Sequence, residues 1–342
     1  AIETLFIGHA LLAFALAVLF AQWRGWPAER AFALGIATGA FAALPDIDVL
    51  YAATVMNPTE LVVGTELRPG AFWGAANEAH RLLTHSLVVA VVAGPAFALW
   101  TLRSNAGFSG WRPERPRSAL AVALAALTLA ALVAATVATS GVRDAFVMAA
   151  FVVVGLGVAE AARSQLGLRP RTIALAAVAG IASHPWGDLV TGEPPVLLYP
   201  FDIAVLGERI VLSSDPTLHL LGAFAIELGA IALAAVVVAR HWGFAPHRLV
   251  DRRALFGAVY GVGAVVMAPP TIHLSYQFVF SILAVGGVCG TVRRSPRGWY
   301  PLRSALDRLA GTREAALRTT VTTIAGIAVA LVSYGAVYLL VG

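Results

Sequence analysis

Long apolar runs separated by short polar stretches set the pattern of this chain. A helix needs about 20 mostly apolar residues to cross the hydrocarbon core of a bilayer. The sequence therefore predicts an all-α, polytopic transmembrane helical bundle of about ten spans. The number falls to eight if the two segments that meet at Pro269-Pro270 form a re-entrant hairpin instead. The predicted spans are 5–23, 28–45, 82–103, 118–139, 142–163, 170–190, 217–240, 253–269, 272–292 and 317–341.

Basic residues alternate from one side of these spans to the other. With the N-terminus outside, twenty of the 24 basic residues lie in inside connections, and four lie outside. The outside four are Arg68, Arg81, Arg143 and Arg209. Short cytoplasmic loops carry an excess of arginine and lysine. The charges therefore predict a multi-pass protein of the cell (plasma) membrane with both termini outside.

Composition supports a membrane protein. Hydrophobic residues make up 59% of the chain and charged residues 13%, against about 25% charged in soluble domains. The net charge of +5 is explained by the inside loops, so we expect membrane lipid as a partner and no nucleic acid. The first run, "LFIGHALLAFALAVLFAQW", has no basic leader and is taken as a span. The single cysteine, Cys289, excludes an internal disulfide and a multi-cysteine zinc site.

Ionisable residues interrupt the apolar runs in a clustered way. Such residues are costly at membrane depth and usually line a site or a cavity. In the predicted topology they all fall in the outer half, and only His241 and His247 of the eight histidines lie inside. The outer residues are His9, Asp46, Asp48, His80, Arg81, His85, His184, Asp188, His219, Glu227 and His273.

The spacing of these residues favours a metal site. His184 and Asp188 are four apart and share a helix face, although Pro185 predicts a helix end or kink between them. Asp46 and Asp48 point the same way if their segment is extended. Imidazole and carboxylate together are good ligands for zinc, and for manganese after it. The two aspartates would then neutralise one or two cations at the outer edge of the membrane.

Simpler explanations exist for each residue taken alone. His9 could form a hydrogen bond with a neighbouring helix. The two acids of "PDID" could be solvent-exposed residues at the end of a helix. His219 and His273 could be interfacial residues at helix starts. Glu227 is either a deep site residue or a carboxyl group paired across helices. These alternatives stay open from the sequence.

Five short motifs occur in a fixed order along the chain: His9 in "FIGHALLAFAL", "LPDID" at 44–48, "HRLLTHSL" at 80–87, "HPWGDLVTG" at 184–192 and "YPF" at 199–201. This ordered set, which covers about residues 5–230, resembles the YdjM-type family of membrane-bound metal-dependent hydrolases. We therefore expect residues 1–230 to form a metal-dependent hydrolase-like transmembrane domain, with 231–342 as additional C-terminal transmembrane helices of the same membrane unit. A looser similarity connects the motifs to zinc-dependent phospholipase C enzymes.

This resemblance implies a helical bundle that holds two or three metal ions. Asp48 would be a further metal ligand or a residue that hydrogen-bonds to one of the ligands. The phospholipases also use a free N-terminal amine, which has no counterpart before His9, and a glutamate for which Glu227 is the deep candidate, with His219 near it. The implied ligands are His9, Asp46, His80, His85, His184 and Asp188.

The expected activity is metal-assisted hydrolysis of a phosphoester, a lipid or lipid-linked phosphate reached from the bilayer. Asp46 or Asp48 could act as general base, and Arg81 could hold a phosphate oxygen. Neither a G-x-S-x-G elbow nor a Walker loop occurs in the sequence. Two alternatives remain: an ion- or proton-coupled transporter that uses the same cluster, and a non-catalytic membrane protein with a structural metal site. The sequence does not indicate an oligomeric state.

Overall fold

A computed structural model describes residues 7–51, 62–63, 66–67, 83–103, 116–191, 194–201, 203, 205–271, 275–291, 294–295, 298–299 and 313–341. Their regular structure is helical apart from two antiparallel pairs of two-residue strands. The first pair is β1 (Val62–Val63) with β2 (Glu66–Leu67), and the second is β3 (Arg294–Ser295) with β4 (Gly298–Trp299).

The α-helices of the described residues are numbered in chain order. The first seven are α1 (Ile7–Trp23), α2 (Ala28–Ala42), α3 (Leu87–Trp100), α4 (Pro116–Ser140), α5 (Val142–Ser164), α6 (Pro170–Ser183) and α7 (Pro185–Thr191). The others are α8 (Pro216–His241), α9 (Pro246–Leu249), α10 (Gly263–Val266), α11 (Tyr276–Thr291) and α12 (Arg313–Val341). Three 3₁₀ helices cover Pro45–Tyr51, Thr101–Arg103 and Arg252–Val262.

Within the described residues, six segments are long and apolar enough to cross a membrane. They are Ala28–Tyr51, Ser118–Ser140, Val142–Ser164, Pro170–Val190, Pro216–His241 and Arg313–Val341. Shorter apolar helices cover Ile7–Trp23, Leu87–Arg103 and Tyr276–Thr291. The all-helical membrane architecture is therefore confirmed for the described part of the chain. The total of about ten spans and the outside placement of the termini stay predictions.

The chain forms two compact units: His9–Ile210, and Val211–Gly342 together with Ala1–Gly8. This division comes from contacts within the fold. The predicted boundary at residue 230 concerned the extent of the hydrolase-like motifs, and it stays a prediction.

In the 9–210 unit, small residues let the helices approach closely. Gly180 of α6 lies against the Thr38 carbonyl of α2, and a Cβ there would overlap that oxygen. Gly155 of α5 accommodates the ring of Phe97 from α3 in the same way. Fully buried Phe41 stacks on Phe97 with ring centres 5.9 Å apart. Close helix approach through small residues is the usual packing device in membranes.

The start of α3 is fixed by Ser86. Its side chain accepts hydrogen bonds from the backbone amides of Val88 and Val89, as an N-cap residue does. The predicted span began at residue 82, whereas the helix begins at Leu87, because Ser86 is extended and caps it. His85 therefore belongs to the turn before the helix.

In the 211–342 unit, α12 packs against α8, α11 and the 3₁₀ helix Arg252–Val262. Its core is aromatic, and the ring centres of Phe278 and Tyr334 lie 5.1 Å apart. Gly257 of the 3₁₀ helix faces the backbone of α12, where a Cβ would overlap the carbonyl oxygen of Gly326. This contact joins backbone to backbone, so neither side can yield by a rotamer change.

We expect Gly257→Ala to destabilise the protein by about 1–3 kcal/mol, the usual cost of overpacking. Gly287→Ala in α11 is the matched control, since a Cβ there meets open space and alanine favours a helix by up to about 1 kcal/mol. The measurement is the thermal unfolding midpoint in detergent. Equal midpoints for both variants would contradict the close approach of the two backbones.

Candidate metal centre

Histidines and aspartates from several elements of the 9–210 unit meet at helix ends. Each of these residues lies near a helix end, in a turn or in a short helix of seven residues. They are His9 in α1, Asp46 and Asp48 in the 3₁₀ helix after α2, His85 in the turn before α3, His184 between α6 and α7, and Asp188 in α7.

Close packing of α2 and α6 positions His184. Gly180 lies on the carbonyl of Thr38. One turn further along both helices, the Nδ1 atom of His184 lies 2.7 Å from the carbonyl oxygen of Ala42. Residues four apart share a helix face, so the contact at Gly180 sets the register that brings His184 to Ala42.

Pro185 interrupts the helix without breaking the predicted face. The break between α6 and α7 lies at His184, which keeps helical dihedrals of −60° and −50°. The Nε2 atom of His184 lies 3.7 Å from Oδ2 of Asp188. The expectation that these two residues face the same space is therefore met in the geometry, although proline disfavours helical geometry in the residue before it.

Asp46 and Asp48 diverge. The sequence argument assumed an extended segment, but Pro45–Tyr51 is a 3₁₀ helix with about three residues per turn. Side chains two apart then point in different directions. Oδ1 of Asp46 lies 3.2 Å from Nε2 of His184, and Oδ2 of Asp48 lies 3.3 Å from Nδ1 of His85. Each aspartate thus serves a different histidine.

The hydrogen bonds of the two central rings constrain where their protons lie. A carbonyl oxygen only accepts, so His184 Nδ1 donates to Ala42, and its Nε2 is the lone-pair atom when the ring is neutral. The Nδ1 atom of His85 lies 3.3 Å from Asp48 and its Nε2 atom 3.2 Å from Asp188, so Nε2 is the lone-pair atom when Nδ1 donates to Asp48. The two Nε2 atoms lie 3.0 Å apart. This is the arrangement of metal-binding histidines, whose second nitrogen donates to a carbonyl or a carboxylate.

Two carboxylates complete this set of atoms. Ligand atoms of Asp46, His85 and His184 all lie within 4.8 Å of one another. Oδ2 of Asp188 lies 3.2 Å from Nε2 of His85. We call Asp46, His85, His184 and Asp188 the His/Asp centre. Two imidazole nitrogens and two carboxylate oxygens are a donor set that suits zinc or manganese, and the cluster could hold a metal ion.

The surroundings of the centre favour a cation. His85 and His184 are fully buried, and Asp188 is 2% exposed. Oδ1 of Asp46 is buried and has no hydrogen-bond donor among the described residues. Burial holds the pKa of His85 below its ordinary value, so this ring is neutral and able to bind a metal at neutral pH. Buried carboxylates need a compensating positive charge, and a metal ion would supply it.

His9 lies beside the centre. Its Nε2 atom is 3.3 Å from Oδ1 of Asp188, whereas His85 and His184 approach the other oxygen, Oδ2. The ring packs edge-on against His184 with centres 5.0 Å apart. Gly187 makes room for it, because a Cβ at that position would overlap the imidazole of His9. The "HPWGD" motif thus contributes through its glycine as well as through its histidine and aspartate.

Five predicted site residues are not part of this cluster in the described structure. Three of them lie outside the described residues: His80, Arg81 and His273. The Nδ1 atom of His219 accepts a hydrogen bond from the backbone amide of Leu212. Glu227 is buried against Gly8 and lines a cavity of about 330 Å³ in the 211–342 unit. A ligand role for His219 or Glu227 stays a prediction.

The Ala42 carbonyl is the contact that sequence reasoning missed. A backbone acceptor has no residue-type signal, so only the packing of α2 on α6 reveals it. Thr84 precedes His85 in the turn before α3. Its hydroxyl donates to the carbonyl of Pro45 at 2.9 Å and lies 3.2 Å from Nδ1 of His85. It therefore ties His85 to the segment that carries the two aspartates.

We expect Thr84→Val to weaken zinc binding about 10- to 100-fold, which is the usual effect of replacing a residue that hydrogen-bonds to a metal ligand. Valine keeps the shape but removes the hydroxyl that orients His85. Thr136→Val is the matched control: Thr136 is also buried, but its hydroxyl bonds the Leu132 carbonyl of its own helix. Competition with a chelator measures the affinity. Equal zinc affinity in the two variants would show that Thr84 does not orient His85.

Comparison with known proteins agrees with the helical membrane architecture. Residues 4–268 match the family model of the YdjM inner membrane protein. No curated protein and no solved structure matches the chain. The match covers more than half of the chain and includes every residue of the His/Asp centre. The chain is therefore a membrane protein that belongs to the YdjM inner membrane protein family.

Proposed function

We propose that the protein is a metal-dependent hydrolase of the cell membrane that cleaves a phosphoester, a lipid or a lipid-linked phosphate, on the outside face. The observation that carries this proposal is the convergence of the His85 and His184 Nε2 atoms, 3.0 Å apart, on the carboxylates of Asp46 and Asp188. Two buried imidazole nitrogens that converge with two carboxylates in this way would suit a divalent cation.

His85, His184, Asp46 and Asp188 would hold the first cation. Asp188 presents Oδ2 to these histidines and Oδ1 to His9, so Asp188 and His9 would help to hold a second cation. His80 is a further proposed ligand. Zinc suits the mixed nitrogen and oxygen donors best, with manganese second. Divalent metals at such a site polarise a phosphoryl oxygen and lower the pKa of bound water.

The two aspartates differ in their capacity for proton transfer. Asp48 is 1% exposed, and its carboxylate contacts the ring of His85 and the hydroxyl of Thr84. These contacts suit a role in orienting His85. The side chain of Asp46 is 13% exposed, so it can reach both a substrate and solvent. We therefore assign the general-base role to Asp46 before Asp48. Arg81 keeps its proposed role as the phosphate-binding residue.

Ion or proton transport is the main alternative. A transport path needs polar residues that continue through the bundle. Glu160 of α5 lies near the predicted inner end of its span. Glu160 is partly exposed, and its carboxylate lies 3.9 Å from the guanidinium of Arg103. A surface ion pair explains Glu160 without a path. A structural metal site would be closed, whereas the partial exposure of Asp46 favours an open one.

Metal content tests the proposal. We expect protein purified without added metal to contain about two zinc or manganese ions per chain, and Asp188→Ala to lose most of them. His247→Ala is the matched control because His247 is an exposed histidine of α9. Elemental analysis gives the result. Well-folded wild type without metal would overturn the proposal, and full retention in Asp188→Ala would remove Asp188 from the ligand set.

Activity distinguishes catalysis from a structural site. With lipid phosphoesters in mixed micelles, we expect Asp46→Asn to lower kcat by about 10²- to 10⁴-fold, the usual contribution of a general base. Unchanged metal content in this variant assigns Asp46 as the base, whereas a parallel loss of metal assigns it as a ligand. Wild type that holds metal but cleaves no phosphoester would leave the site structural and the hydrolase proposal wrong.

A further inference from the structure

A loop that leads away from the His/Asp centre is fixed to several helix ends. We call residues 194–201, 203 and 205–210 the return loop. The backbone amide of Leu87, at the start of α3, donates to the carbonyl of Leu197 at 2.8 Å. At the far end of the loop, the amide of Ile210 donates to the carbonyl of Leu189 in α7 at 2.7 Å. The loop therefore begins and ends against helix termini that border the centre.

Tyr199 and Ser86 add two further attachments. The hydroxyl of Ser86, next to His85, donates to the carbonyl of Tyr199 at 2.7 Å. The phenol oxygen of Tyr199 lies 2.7 Å from the hydroxyl of Ser140, the last residue of α4. Helix α4 is a candidate membrane span. The return loop thus lies at the level where a transmembrane helix ends, on the side of the bundle that carries the His/Asp centre.

The return loop exposes large apolar side chains at this level. Phe201 is 58% exposed, Ile203 54%, Val205 53% and Ile210 49%. Trp186, between the ligands His184 and Asp188 in sequence, is 51% exposed. Apolar surface concentrated in this way marks a site of contact with a membrane or another protein. Glu208, in the same loop, is exposed as well.

Two physical limits define where such a loop can lie. Irregular backbone that faces lipid does not occur in the hydrocarbon region, because its polar groups would have no partners there. Exposure of several large apolar side chains to bulk water is also unfavourable. The boundary between headgroups and acyl chains satisfies both limits, and tryptophan is enriched there.

We propose that the return loop is a membrane-interface segment that binds the phospholipid leaflet on the side of the His/Asp centre. Phe201, Ile203, Val205 and Ile210 insert among the upper acyl chains, whereas Glu208 stays at the aqueous surface. A lipid leaflet is the expected partner because the loop is hydrogen-bonded to the end of α4, which is a candidate membrane span. This seating brings the His/Asp centre to headgroup depth, and it goes beyond the proposed hydrolysis because it needs neither metal nor turnover.

Spin labels measure the depth of the loop directly. The natural cysteine, Cys289, is buried, so Cys289→Ala gives a background for single labels at Phe201→Cys, Ile203→Cys and Ile210→Cys. The full-length protein is reconstituted in vesicles of phosphatidylethanolamine and phosphatidylglycerol. Collisional relaxation by oxygen, which concentrates in acyl chains, is compared with relaxation by a water-soluble nickel chelate.

Two control labels define the limits of the scale. Val153→Cys, at a 67% exposed position of the span α5, gives the lipid reference, and Glu208→Cys gives the aqueous one. We expect the oxygen-to-nickel ratio at positions 201, 203 and 210 to exceed that at 208 several-fold and to approach that at 153. A ratio equal to that at 208 would place the loop in water and overturn the proposal. Low accessibility to both reagents would overturn it as well, because protein would then cover the loop.

The result is separate from the test of hydrolysis. Labels can report an interfacial loop in a protein that holds no metal, and they can report a loop in water in a protein that cleaves phosphoesters. A failure of the loop proposal therefore leaves the metal and activity measurements unaffected, and the reverse holds too.

Discussion

Two imidazole nitrogens that face each other inside an apolar bundle are the constraint on which the 9–210 unit depends. The Nε2 atoms of His85 and His184 lie 3.0 Å apart, beside the carboxylates of Asp46 and Asp188. When both Nε2 atoms carry lone pairs, they repel one another and the carboxylates unless a positive charge, a proton or a metal ion, lies among them. Burial makes the repulsion stronger, because little water is present to screen it. The fold therefore holds an arrangement of atoms that a divalent cation would stabilise.

The bundle maintains this arrangement through small residues and backbone groups. Gly180 allows α6 to lie on α2, and the same register places His184 on the carbonyl of Ala42. Thr84 joins the turn that carries His85 to the carbonyl of Pro45. Side chains held by packing and by hydrogen bonds lose little freedom when a metal binds. The same helix contacts thus hold the bundle together and position the side chains of the His/Asp centre.

The position of the centre at helix ends connects the frame to the membrane. Ionisable groups are costly in the middle of a bilayer, and helix termini lie where the cost is lower. The same termini hold the return loop, whose apolar side chains are exposed beside the centre. A site built at this level can be shielded from lipid by the bundle and still be close to headgroups. Membership of the YdjM inner membrane protein family is consistent with that setting.

Sequence reasoning named all four residues of the His/Asp centre because histidine and aspartate are conspicuous in apolar runs. It also anticipated the shared face of His184 and Asp188, which survives Pro185 because His184 keeps helical dihedrals. It was wrong about the segment of Asp46 and Asp48, where a short run after proline gave no signal to separate an extended strand from a 3₁₀ helix. The role of the Ala42 carbonyl could not be predicted, since every residue type has a backbone carbonyl.

The sequence by itself determined the class of the molecule and the chemistry available to it: apolar runs long enough to span a bilayer, and a set of nitrogen and oxygen ligands at their ends. These properties depend on residue type and spacing along one chain. The tertiary structure alone decided which atoms meet. Asp46 contacts His184 while Asp48 contacts His85, because the contact of distant helices, and not the order of residues, sets the direction of each side chain.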